Sequence, residues 1–403
     1  MKITICLAAA SLLLTAGAFD PCARMQNVGS RQAVVWEGGA ALAADGTGDD
    51  RDSQLELFAD IPGSMIRGLT VSSKGRVFLS FPRITGQSSF TLAELKDGKP
   101  VPYPTVEQNQ PDKANPGDHI FSVMSAVVDN KDRLWLADTG RLGQEAVAGA
   151  TKLVGIDLAT DKVIKTVMLP NNIVTAKSVL HDLRYDGSKG KDGAVYISDS
   201  SPTGTSAIIV VDLASGKCLR RLSGHKSVQA EPEFLPFISG RPMMRTMPDG
   251  KKVDYQVGVA GLAVRPDGKV LYYCPQASRQ LYCVDANLLF DPAVSEAAVE
   301  KSVKNLGPKP AASDGLECDK EGDVFFTDFE NSTVWIRKPN GTIDKVVHDS
   351  RLIWPDSLWI AHDGYLYISA SQFNQLAAFN AGTDKRTDSY QIFRYKINGT
   401  PRY

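Results

Sequence analysis

The sequence predicts an all-β fold, a six-bladed β-propeller in which a strand near the N-terminus closes the last blade. Two observations carry the prediction: one motif recurs six times, and no amphipathic helix of convincing length interrupts it. Each copy is a short apolar run, then a turn rich in Asp, Gly or Lys, then an alternating strand ending in a small or acidic residue. Period-2 alternation around Asp-Gly or Asn-Gly turns signals hairpins, because those residues accept the left-handed backbone that a two-residue turn needs.

At the N-terminus, Lys2, the apolar run 3–14 and the small residues Ala16-Gly17-Ala18 read as a signal peptide over residues 1–18. The run falls short of the ~20 apolar residues that a spanning helix needs. The mature chain then starts near Phe19, with a linker over 19–52 and a single propeller over 53–403. Within the linker, DGTGDDRD (45–52) has the composition of a calcium loop but reads as a solvated connection. Residues 53–60 (SQLELFAD) supply one strand ahead of the first repeat, expected beside Tyr390–Ile397, where it removes an exposed sheet edge.

The copies begin at Gly68, Ser125, Asp182, Gly261, Gly315 and Ser357, spaced 57, 58, 78, 54 and 42 residues apart to within one residue. Most are followed by a further strand pair around a polar turn, as in KLVGIDLATDKVIKTVML from Lys152 and AIIVVDLASGKCLRRL from Ala207. A repeated four-strand unit of this length is what a propeller blade requires, since one blade cannot cover both of its faces. The long third spacing is explained by an insert at 231–255, which carries Pro232, Pro236, Pro242 and Pro248 and reads as a loop between blades three and four.

Composition bounds the function. The 403 residues hold 45 Lys+Arg against 46 Asp+Glu, a net charge of −1, so no basic face invites nucleic acid. After signal removal five cysteines remain, an odd number, and Cys274 and Cys283 flank a turn across which they could face each other. No C-x-x-C spacing supports a structural zinc, and no G-x-S-x-G, H-E-x-x-H, Walker or G-x-G-x-x-G motif occurs. Neither a resident metal nor a cofactor is expected, and no membrane contact after signal cleavage.

In a propeller the first residues of each innermost strand converge at one mouth of the central channel, a concave place for a ligand. Aligning the copies puts Arg67, Met124, His181, Ala260, Asp314 and Asp356 there, with Asp182 one step further in. Asp314 and Asp356 suit an ammonium, Arg67 a carboxylate, and Met124 and Ala260 an aromatic ring. His181, with Asp182, is the candidate proton carrier. Trp354 and Trp359, near this mouth in sequence, either offer a cation a ring face or pack between blades.

Several segments resemble the major royal jelly protein/yellow family: RVFLSFPR (76–83), RLWLADTG (133–140), YISDSSPTGTSAIIVVDL (196–213), VAGLAVRPDGKVLYYCP (259–275), DGLECDKEGDVFFTD (314–328) and PDSLW (355–359). The likeness runs from about Leu55 to Ile397. It implies a secreted or periplasmic six-bladed propeller holding a small ligand, an amine, catechol or related aromatic, in its channel. Similar proteins are linked to dopachrome conversion, so a dopachrome tautomerase-type isomerase is the first alternative. A metal-dependent lactonase of the gluconolactonase type, which shares the Asp-Gly-Leu motif, is the second. That family's metal site needs a Glu, an Asn and an Asp where this chain has Arg67, Ala260 and Asp314, and a guanidinium repels a divalent ion.

Overall fold

Six four-stranded antiparallel sheets follow one another along the chain as the blades of the propeller. The structure, a computed structural model, describes residues 50–83, 88–397 and 399–402, and the backbone of the strand pair Arg24–Val28 and Arg31–Val35. That antiparallel pair belongs to a separate unit, residues 1–49. The expected signal peptide lies outside the described residues, as does most of the linker.

Blade 1 runs from its inner strand Leu69–Val71 through Val77–Ser80 and Leu92–Lys96 to Lys99–Pro102. Blades 2 to 5 open on the inner strands Val123–Val128, Leu180–Asp186, Val259–Val264 and Leu316–Cys318. Blade 6 comprises Pro355–Ile360, Tyr365–Ala370 and Ser389–Lys396, and its fourth strand is Leu55–Pro62. That strand pairs antiparallel with Ser389–Lys396, Leu55 opposite Tyr395 and Ile61 opposite Tyr390, so the ring closes as the sequence predicts. Only two short α-helices occur among the described residues, Ala286–Phe290 and Glu296–Lys301, both between the last strands of blade 4. No helix among the described residues is long and apolar enough to cross a membrane.

Burial explains the pattern. Val123–Val128 and Val259–Val264 are buried at every position because neighbouring blades cover both faces, whereas the outer strand Lys162–Met168 is mostly exposed. Cys274 and Cys283 do not meet: Cys283 stands opposite Tyr272 in the ladder, and Cys218, Cys274, Cys283 and Cys318 are all free thiols. The segment 231–255 holds two short hairpins, Phe237–Ile238 with Arg241–Pro242 and Met244–Thr246 with Lys252–Asp254.

Two devices draw the inner strands together. Gly68, Gly261 and Gly315 lie where a Cβ would meet a carbonyl oxygen of the next blade: 2.9 Å from Met124, 2.5 Å from Asp314 and 2.2 Å from Asp356. Only glycine permits so close a backbone approach. Hydroxyls from second strands then bridge blades, Ser80 to the Met124 carbonyl (2.7 Å), Ser198 to that of Ala260 (2.7 Å) and Ser369 to that of Arg67 (3.0 Å). The small residue ending each repeat is thus a blade-to-blade hydrogen-bond donor in three of the six.

Gly315→Ala is expected to destabilise the protein by about 1–3 kcal/mol or more, because the methyl group has only backbone to push against. Gly117→Ala, with nothing within 4 Å, serves as the control and is expected to stay within about 0.5 kcal/mol in the same denaturant titration.

Candidate functional site

Register shifts interrupt the inner strands at their channel ends, between Val123 and Ser125, Leu180 and Leu183, Val259 and Leu262, and Pro355 and Leu358. Met124, His181, Ala260 and Asp356 all lie inside these irregularities. A bulge re-aims the side chains it contains, here at the channel mouth.

The centre of the mouth is an ion cluster contributed by four blades. Arg67 places Nη1 2.8 Å from Asp356 Oδ2 and Nη2 3.3 Å from Asp314 Oδ2. Arg67 Nη2 also donates to His181 Nε2 at 2.8 Å, and Asp314 Oδ1 lies 3.5 Å from the same ring nitrogen. Arginine is always a donor, so Nε2 is the acceptor and the ring proton belongs on Nδ1. Trp354 Nε1 donates to Asp314 Oδ2 at 2.7 Å and fixes that carboxylate from behind. Its φ of 57° is a strained value for a bulky residue. The indole stacks on Phe329 with centroids 4.0 Å apart, and Phe373 lies 4.9 Å from the Arg67 guanidinium carbon.

Charge states follow from burial. Burial alone would lower the Arg67 pKa, but Asp356 and Asp314 more than offset it and raise it. Burial, opposed by Arg67, raises Asp356 well above the carboxylate range, and neighbouring Asp314 adds to this. His181 falls from 6.5 to about 4, chiefly by burial, so its imidazole is neutral near pH 7.

Of the residues predicted from sequence, Arg67, His181, Asp314 and Asp356 meet in this cluster, and Met124 lines the cavity above it. Asp182 turns inward: it accepts from Ser125 Oγ (3.0 Å), Arg184 Nη1 (2.6 Å) and the amides of Leu183 (2.9 Å) and Leu262 (3.1 Å). These bonds hold it in a second ionic layer with Arg184 and Glu317, away from His181. Ala260 is fully buried and lines neither the cavity nor the void beneath it. Trp359 lines a pocket at the opposite mouth, not this one.

Above the cluster opens a cavity of about 1020 Å³. Sequence reasoning missed most of its wall, which comes from the insert (Arg245, Met247, Tyr255) and from the segment 373–386 (Phe373, Phe379, Arg386). From sequence the insert reads as a loop between blades three and four, although its aromatic and cationic residues are a usable signal, and the segment 373–386 draws no reading. The Tyr255 hydroxyl donates to Gln276 Oε1. Below the cluster the channel narrows to a void of about 20 Å³. A pocket of about 180 Å³ at the far end is lined in part by Pro401 and Arg402, whose guanidinium donates to the Tyr185 carbonyl.

The gluconolactonase-type metal site does not fit these residues. Arg67 occupies the space between Asp314 and Asp356, so a divalent ion would have to displace the cation the chain already supplies.

Arg67→Met is expected to cost about 3–5 kcal/mol by stranding buried carboxylates, and Arg67→Met with Asp314→Asn and Asp356→Asn to regain much of that in thermal or urea unfolding. For His181 the unfolded chain binds the proton below pH 6.5 and the folded one only near 4. Its contribution is therefore complete above pH 6.5 and lost as pH falls towards 4. His181→Asn should show a shallower loss of stability across that window than the parent; identical slopes would contradict the assignment.

Residues 121–402 match the family described as Major royal jelly protein. The chain is 29% identical over 222 residues to Major royal jelly protein 1 of Apis mellifera, covering 52% of this chain and 48% of that protein. It thus spans about half the length of that relative. Identity to Yellow-related salivary protein ASP4 of Phlebotomus orientalis is 25% over 319 residues, covering 72% and 74%. Among solved structures, a calcium-binding regucalcin from Agrobacterium tumefaciens superposes with a TM-score of 0.52 at 15% identity, over 85% of this chain and 93% of that one, a likeness of fold alone. The family match covers blades 2 to 5 and three of the four strands of blade 6, and the chain belongs to the major royal jelly protein family.

Proposed function

We propose that this protein is an exported binding propeller of the yellow type, which holds a compact aromatic molecule, an amine, catechol or related compound, in the cavity above Arg67. The supporting observation is the cavity itself, about 1020 Å³, with aromatic walls over an ionic floor that is paired before any ligand arrives. Phe373 and Tyr255 offer ring faces and edges for stacking. A floor whose polar groups are already oriented costs little to organise on binding. Export rests on the N-terminal leader pattern, with release into a periplasmic or extracellular space.

Binding is favoured over tautomerisation by His181. A general base needs a free lone pair near the operating pH, and Nε2 already accepts from Arg67 while Asp182 is engaged one layer below. The lactonase alternative lacks a place for its ion, for the reason given above.

A panel of small aromatic amines, catechols and alcohols should contain members that raise the melting temperature of the mature chain, since a ligand for the folded state alone stabilises it. Phe373→Ala is expected to weaken the best of them about tenfold by calorimetry, a loss of about 1.4 kcal/mol of ring contact. A panel without any binder, or dopachrome turnover abolished in His181→Ala, would overturn the reading.

A further inference from the structure

We infer that the ligand carries an acidic group as well as a ring, and that Arg245 and Lys177 at the cavity wall select it. The inference rests on the binding reading above and names the chemical class that the site prefers.

Charge is the first ground. Setting aside Arg67, whose charge Asp314 and Asp356 already answer, the cavity is lined by Arg141, Lys177, Arg245 and Arg386 against two carboxylates, Asp254 and Asp384. Two of the four cations are committed. Arg386 is held by Asp384, with Nη2 to Oδ2 at 2.6 Å and Nε to Oδ1 at 3.0 Å. Arg141 donates to the carbonyls of Ala176 and Gln144. Lys177 and Arg245 are the exposed cations of the wall, and their side chains make no ion pair among the described residues. A concave, weakly solvated wall focuses such a field on whatever enters.

The second ground is the state of the floor. An ammonium seated on Asp314 or Asp356 would take a counter-ion from Arg67, whose side chain is 4% exposed, and would leave a buried guanidinium short of charge. An anion meets no such competition, because it pairs with rim cations and leaves the floor intact. The third ground is Gln276, a wall residue 1% exposed: its Oε1 accepts from Tyr255, and its amide Nε2 has no acceptor among the described residues. That buried donor stands on the same wall as the two exposed cations, a set that suits a carboxylate, sulfate or phosphate.

Arg245 sits on the hairpin Met244–Thr246 with Lys252–Asp254, which packs against the turn Ala377–Phe379. Charge selection thus draws on the insert through Arg245 and on the loop before the third inner strand through Lys177, whereas the ionic floor comes from residues around the axis.

The test uses three probes that share a 2-(indol-3-yl)ethyl skeleton: indole-3-propionate, tryptamine and tryptophol. Calorimetry on the mature chain at low salt should show the acid binding about tenfold or more tightly than the amine, and its advantage shrinking as salt rises. Lys177→Gln with Arg245→Gln should remove most of that advantage while leaving the neutral alcohol within about twofold. Tighter binding of tryptamine would overturn the inference and leave the binding reading standing. An acid preference that survives the double variant would overturn the assignment to these two residues, as would equal weakening of all three probes. Failure of all three probes where another member of the aromatic panel binds would overturn the inference and leave the binding reading standing, whereas failure of the whole panel would overturn both.

Discussion

A single guanidinium organises the axis of this propeller. Arg67 comes from the first blade, yet its partners are Asp314 of the fifth, Asp356 of the sixth and His181 of the third. Ring closure brings acidic inner-strand residues together where water is scarce, and buried carboxylates need a counter-charge. Where a propeller of similar shape can recruit a divalent ion, this chain supplies the cation covalently, from a neighbouring strand. Around it, burial keeps His181 neutral and able to accept from Arg67, Trp354 braces Asp314 from a strained backbone, and Asp182 lies in a separate layer with Arg184.

The same economy appears in how blades touch. Gly68, Gly261 and Gly315 remove side chains where backbones cross, and Ser80, Ser198 and Ser369 return hydrogen bonds across the gap. Asp138 and Asp199, at the ends of second strands, cap loop amides instead, Asp138 those of Phe121, Ser122 and Gly140. Small or acidic endings therefore serve two structural tasks, joining blades and holding the loops that frame the mouth.

This division explains what sequence reading reaches. The repeat, its period and the closing strand were legible because they are set by burial: Leu55–Pro62 buries Leu55, Ala59 and Ile61, and its alternation is broken only where a bulge falls between Leu57 and Ala59. Arg67, Asp314 and Asp356 were legible because each precedes the same small-residue-Leu step in its repeat. Inside the bulges alignment guides unevenly, because the local shift sets the face each side chain presents: Met124, His181 and Asp356 turn to the mouth, whereas Ala260 and Asp182 point away from the cavity. The pairing of Cys274 with Cys283 failed for a related reason, since ladder register places Tyr272 opposite Cys283. The cavity wall was least legible, because the insert and the segment 373–386 follow no repeat and are positioned by contacts with the turns of other blades.

The far end of the channel gives the site its topology. Arg402 is tethered to the Tyr185 carbonyl and Thr400 to Lys320, so the last residues lie across that opening, and two ionic layers fill the axis above it. Among the described residues the hollow beside Phe373 is therefore closed along the axis: a molecule that enters it cannot pass through the ring and leaves on the side by which it came.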